Sequence, residues 1–98
     1  MSMREIQKMQ QKLLKMQEEL ENSSFTGTAG GGAVTITMSG KFEITAVKID
    51  PEAFNPEDIA ELEVMVVAAA RDAFTRVSEA QQKMLGAATG GMRLPGLF

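Results

Sequence analysis

The sequence predicts an α+β domain in the order helix, two or three antiparallel strands, helix. Three observations predict it. Apolar residues recur at helical spacing near both ends, they alternate in the middle, and glycines and prolines punctuate the boundaries. The 98 residues suffice for one small domain. A chain of this size buries only roughly 60–65% of its unfolded surface, which makes help from a second subunit reasonable.

The first element is expected over about residues 3–22, "MREIQKMQQKLLKMQEELEN". Ile6, Met9, Leu13, Met16 and Leu20 form a heptad seam, and the remaining Gln, Lys, Glu, Met and Leu residues favour helix. A lone helix of this length is marginal in water, so the seam needs the domain body or another copy to lie against. Strands are expected over about residues 24–49. "SSFTGTAG" reads as a loop or a short edge strand. In "AVTITMSGKFEITAVKI", Val34, Ile36 and Met38 alternate with Thr35, Thr37 and Ser39. The turn is placed at Ser39-Gly40, with Gly40 free to take positive φ. Phe42, Ile44 and Ala46 share one parity and Val47 and Ile49 the other. That switch requires either a bulge near Ala46 or cover on both faces.

The second helix is expected over about residues 56–85. Asn55 serves as N-cap, Pro56 suits the first helical position, and Asp58 follows three residues after the cap. Its stripe is Ile59, Leu62, Val66, Ala69, Ala73, Val77, Ala80 and Met84. Residues 64–70, "VMVVAAA", are apolar almost all round, which points to a subunit interface made by Val64, Met65, Val66, Val67, Ala69 and Ala70. Gly86 is a candidate stop, and residues 86–98 read as a tail.

Composition narrows the function. There is no Cys and no His, so thiolate metal sites and the usual neutral-pH general base are absent. No nucleophile–base arrangement is recognisable, so no enzyme, cofactor, metal or small-molecule substrate is expected. With no Trp and no Tyr, a base-stacking platform for single strands is disfavoured. No stretch is long and apolar enough for a membrane span, and the charged opening does not resemble a secretory signal.

The glycine-rich "GTAGGG", residues 27–32, invites a phosphate-loop reading that fails. A P-loop needs G-x-x-x-x-G-K-[ST] before a helix; here Gly40-Lys41 is followed by Phe42, and Thr35 replaces the leading glycine. The dinucleotide fingerprint fails because Thr35 stands three residues after Gly32. A chain reversal or a close backbone approach explains these glycines better.

The charge distribution is more informative than the net charge of −3. Arg4, Lys8, Lys12 and Lys15 fall within an arc of roughly 80° on a wheel of about 100° per residue. Cations in the N-terminal half of a helix oppose its macrodipole, so stability alone does not favour them. Phosphate contact does, since it needs cations on one accessible face. An ordinary solvated helix face is the other reading. Arg76 and Lys83, seven residues apart on the last helix, either extend the basic surface or solubilise the helix edge.

Taken together, "FTGTAGGGAVTITMSGKFEITAVKIDPE", the acidic start of the last helix and the ending "LPGLF" resemble the YbaB/EbfC family of bacterial nucleoid-associated proteins over nearly the whole chain. The resemblance implies α-β-β-β-α with a three-stranded antiparallel sheet, in two layers. It implies a tight homodimer whose terminal helices project like tweezers, and a cytoplasmic, nucleoid location. It implies binding of double-stranded DNA with weak or variable sequence preference, the family's basic helix face mapping onto Arg4, Lys8, Lys12 and Lys15. The alternative is a protein-interaction adaptor whose heptad helix pairs with a partner protein.

Overall fold

The computed structural model describes residues 2–88. Its elements are α1 (Met3–Glu21), β1 (Ser24–Ala29), β2 (Val34–Ser39), β3 (Ile44–Ile49), a short 3-10 turn (Pro51–Ala53) and α2 (Ile59–Ala88). The sheet is antiparallel with order β1-β2-β3, and α2 packs on one face of it. This is the expected α-β-β-β-α arrangement in two layers, with "SFTGTA" as the first strand.

The core lies between β2 and one side of α2. Val34, Ile36 and Met38 alternate inward along β2, and Ala69, Ala73 and Val77 meet them from α2. Val34 and Val77 are fully buried and Ile36 is 1% exposed. Burial of each such side chain contributes about 1.5–3 kcal/mol. The small Ala69 and Ala73 let α2 approach β1 so closely that a Cβ at Gly27 would collide with the Ala73 amide and the Ala69 carbonyl. The other "GTAGGG" glycines serve the reversal from β1 to β2: Gly30, Gly31 and Gly32 all have positive φ.

The parity switch in β3 is a bulge. Thr37 pairs with Ala46 and Met38 with Ile44, leaving Thr45 as the extra residue. The Thr45 hydroxyl donates to the Thr37 carbonyl at 3.4 Å. Cross-strand partners share a face, so Ile44, Val47 and Ile49, opposite Met38, Ile36 and Val34, all lie on the inner face. The outer face is paved with hydroxyls: Ser24 opposes Ser39, Thr26 opposes Thr37, and Thr28 opposes Thr35.

Three local expectations are corrected. The turn into β3 is not a Ser39-Gly40 turn with Gly40 at positive φ. The chain turns from Ser39 to Glu43, and the residue at positive φ (64°) is Phe42. Its ring packs against Phe74 at a tilt of 40°, with centroids 4.7 Å apart. Gly40 is needed because a Cβ there would collide with the Leu20 carbonyl at the end of α1. Second, α2 starts at Ile59 rather than 56. Asp58 caps it, accepting from the Glu61 amide at 3.2 Å, while Asn55 holds a separate turn by accepting from the Glu57 amide at 3.1 Å. Third, Gly86 does not stop α2, which runs on to Ala88. Residues 89–98 of the expected tail lie outside the described residues.

Candidate nucleic-acid interface

Helix α1 starts at a good cap. The Ser2 side chain accepts from the Glu5 amide at 3.2 Å, and Glu5 sits where a capping box needs an acid. Its far end is tied down: the Ser23 hydroxyl donates to the Glu19 carbonyl at 2.7 Å, and the Gly40 amide donates to the Ser23 carbonyl at 3.2 Å. Between these ends no residue of α1 is buried. Met16 and Leu20 are half-buried where α1 passes α2. Farther out the seam is open, with Ile6, Met9 and Leu13 38%, 51% and 38% exposed.

The helix is therefore an arm. Nineteen residues span roughly 28 Å at about 1.5 Å per residue. The radius of gyration is 18.3 Å, against roughly 13 Å for a compact chain of about 100 residues. Arg4, Lys8, Lys12 and Lys15 are all exposed along this arm. Among the described residues no ion pair engages any of the four. Such a row suits contact with a regularly spaced polyanion.

Arg76 and Lys83 are placed elsewhere. With Glu79 of α2 and Ser24 and Thr26 of β1, they line a groove of about 350 Å³ along the free edge of β1. Arg76 is already engaged: its Nε lies 3.4 Å from Asp72 Oδ2. The same Asp72 oxygen accepts from the Thr28 amide at 2.9 Å. That amide holds the Asp72 carboxyl below its ordinary value; desolvation opposes the shift and the Arg76 guanidinium adds to it.

The apolar run 64–70 does not form one surface. Ala69 is fully buried against β1, and Met65, Val66 and Ala70 are half-buried against the core of their own chain. Val64 and Val67 are 69% and 52% exposed. Val67 and Ala70 join Phe74, Val66 and Met38 in an apolar groove of about 560 Å³. Met38 pairs with Ile44, so the groove continues into the inner face of β3. Helix α2 lies across β1 and β2 and scarcely reaches β3. Ile44, Val47 and Ile49 are left 54%, 50% and 41% exposed. Sequence reasoning missed this surface, because the bulge that aligns the three residues is invisible without the β2 register. It also missed Asp72, whose partner Thr28 is 44 residues away in the chain. Among the described residues no helix is long and apolar enough to cross a membrane.

The profile of the YbaB/EbfC DNA-binding family matches residues 1–92. The chain belongs to that family. It is a family defined by DNA binding rather than catalysis. Several bacterial YbaB/EbfC relatives carry the name nucleoid-associated protein. One from Pelotomaculum thermopropionicum is 43% identical over 96 residues, covering 98% of this chain and 91% of the relative. One from Dictyoglomus turgidum is 45% identical over 98 residues, covering 99% and 94%. One from Mycobacterium bovis is 46% identical over 89 residues, covering 91% of this chain and 67% of the relative. The YbaB/EbfC chain also shares its fold with an uncharacterized protein of Helicobacter pylori. The TM-score is 0.73 at 21% identity, over 87% of this chain and 89% of that one.

Proposed function

We propose that this YbaB/EbfC protein acts at the nucleoid as a homodimer. It binds duplex DNA mainly through phosphate contacts from Arg4, Lys8, Lys12 and Lys15, with weak sequence preference. The observation that carries this reading is the row of exposed, unpaired cations on a projecting arm. In a dimer, two arms straddle the duplex. Eight cations engaging eight phosphates give a log–log salt slope of roughly −7, and fewer contacts give less. Only Arg4 among the four cations has the planar fork that reads a base bidentately, which keeps specificity low, while Gln7, Gln10 and Gln11 leave room for some readout. Lys83 adds a peripheral phosphate contact; Arg76, held by Asp72, adds less.

The second copy binds along β3 and the adjoining α2 groove. In support, Ile44, Val47 and Ile49 form an apolar row on an edge strand that its own helix leaves open. An unpaired, apolar edge is a template for another strand. Pairing β3 with its copy makes one continuous sheet, and Val67, Ala70 and Phe74 then have something to cover them. Val64 takes part at the margin; Met65, Val66 and Ala69 support the surface from within.

The test is a fluorescence-anisotropy titration with random-sequence duplex DNA at several salt concentrations. Wild type is compared with Lys8→Glu/Lys12→Glu/Lys15→Glu after both are shown to be folded dimers. The expected result is salt-sensitive binding that the triple variant loses. Equal binding by both moves the DNA surface off α1. No binding by wild type near physiological salt favours the adaptor reading, in which the open seam at Ile6, Met9 and Leu13 receives a partner helix.

A further inference from the structure

The sheet has two edges, and β1 is the one not needed for the dimer. Its backbone groups alternate in direction along the strand. Because the Thr28 amide points outward to Asp72, those of Ser24 and Thr26 point outward too; the β1–β2 register has no irregularity to interrupt this. The outward groups of Ser24, Thr26 and Thr28 are self-complementary. Two copies of β1 laid antiparallel and centred on Thr26 exchange bonds between the two Thr26 residues and between Ser24 and Thr28. The Thr28 amide is therefore one of the donors such a pairing requires, and it is the one already occupied.

We propose that Asp72 is a latch that closes the β1 edge to a second copy of this chain, so that assembly stops at the dimer. Three observations carry it. Asp72 comes from α2, a different element, and reaches the edge at 2.9 Å. Arg76, one turn on, also engages this carboxylate, its Nε 3.4 Å from the same oxygen. Among the described residues no side chain from another element is bonded to the opposite edge, β3, whose inner-face residues Ile44, Val47 and Ile49 are apolar and exposed. The consequence lies in symmetry. Pairing β3 with β3 is isologous and closes on itself. A dimer built that way still carries a β1 edge at each end of its sheet. If those edges also paired, every dimer would join two others and the ribbon would grow without limit. For a protein that acts on DNA, such growth would be governed by protein concentration instead of by DNA. The latch rests on the β3 dimer proposed above.

Sedimentation velocity over a range of concentrations tests it. Wild type and Asp72→Asn, which keeps an oxygen acceptor, are expected to hold one dimer-sized species. Asp72→Ala is expected to add species larger than the dimer that increase with concentration. Thr26→Pro in that background removes the central outward amide at a position an edge strand tolerates, and is expected to abolish them. The latch is overturned if folded Asp72→Ala stays a single dimer, or if larger species survive Thr26→Pro. Should Asp72→Ala fail to fold, amide hydrogen exchange of wild type decides instead. A Thr28 amide much slower than that of Thr26 supports the latch; equally fast exchange overturns it. Val47→Lys separates the two ideas. If it leaves a dimer, the β3 reading falls whatever Asp72 does; if it gives a monomer while Asp72→Ala remains dimeric, only the latch falls.

Discussion

The two edges of the sheet are strands of equal length, six residues each, flanking the same central strand, yet they meet solvent in opposite ways. On β1, α2 sits so close that only glycine fits at position 27, and α2 also supplies Asp72 and Arg76 to the edge. On β3, α2 is nearly out of reach, and Ile44, Val47 and Ile49 stay open. One helix placed off-centre makes both conditions at once. Moving toward β1 covers the inner face of that strand at Phe25, Gly27 and Ala29 and brings polar side chains to its edge; the same displacement uncovers β3. The asymmetry separates an edge that α2 engages within the chain from one that α2 leaves open.

This comparison breaks most completely at Gly27. Gly27→Val puts a side chain where the α2 backbone lies. Overpacking of this kind costs about 3 kcal/mol or more, since backbone cannot step aside as a side chain does. A large drop in the urea midpoint is expected; an unchanged midpoint would mean that α2 does not hold β1 so tightly. Next comes the other edge. Val47→Lys is expected to convert a dimer to a monomer in light scattering while circular dichroism keeps its helical signal. The cost falls on association because Val47 is half-exposed in the single chain.

The arm sharpens the contrast, since it owes nothing to either edge. Ser2→Ala removes the cap acceptor for the Glu5 amide and is expected to cost about 1 kcal/mol of helix stability, read as fraying of the first turn in hydrogen exchange. DNA affinity should fall only slightly. The smallest effect is the pH dependence of the latch. The folded state holds the Asp72 carboxyl below its ordinary value, so its contribution is present at neutral pH and is lost as pH falls through that lowered value. The stability gap between wild type and Asp72→Asn should be flat near neutrality. It should begin to close only below about pH 4, the ordinary aspartate range. A gap that changes between pH 8 and 6 would assign the bond to another group.

Much of this was legible in the chain itself. The heptad spacing of Ile6 to Leu20 marked α1, the alternation of Val34, Ile36 and Met38 marked β2, and the parity break after Ala46 called for either a bulge or cover on both faces, of which the register shows the bulge. The candidate stripe was legible for the same reason, since four cations on one helix share a face by local geometry alone. Boundaries were harder. Asn55 followed by Pro56 reads as the cap, yet Asp58 is as good a capping residue; the helix uses Asp58, and Asn55 closes a turn. Gly86 fails as a stop because a glycine inside a helix costs only about 1 kcal/mol, which the rest of α2 absorbs.

By itself the sequence determined the two helices, the strands β2 and β3, the basic face of α1 and the family motifs, because each depends on residues near one another along the chain; the first strand and the two layers were implied by the family resemblance. Only the tertiary structure decided what Gly40 and Gly27 are for, since the atoms they make room for belong to Leu20, Ala69 and Ala73. It alone decided that Ile44, Val47 and Ile49 make one apolar row, because that depends on the register against β2. It alone joined Thr28 to Asp72 across 44 residues. Periodicity records which way a side chain points from its own element. What stands opposite is set by the docking of one element on another, and local spacing does not encode that.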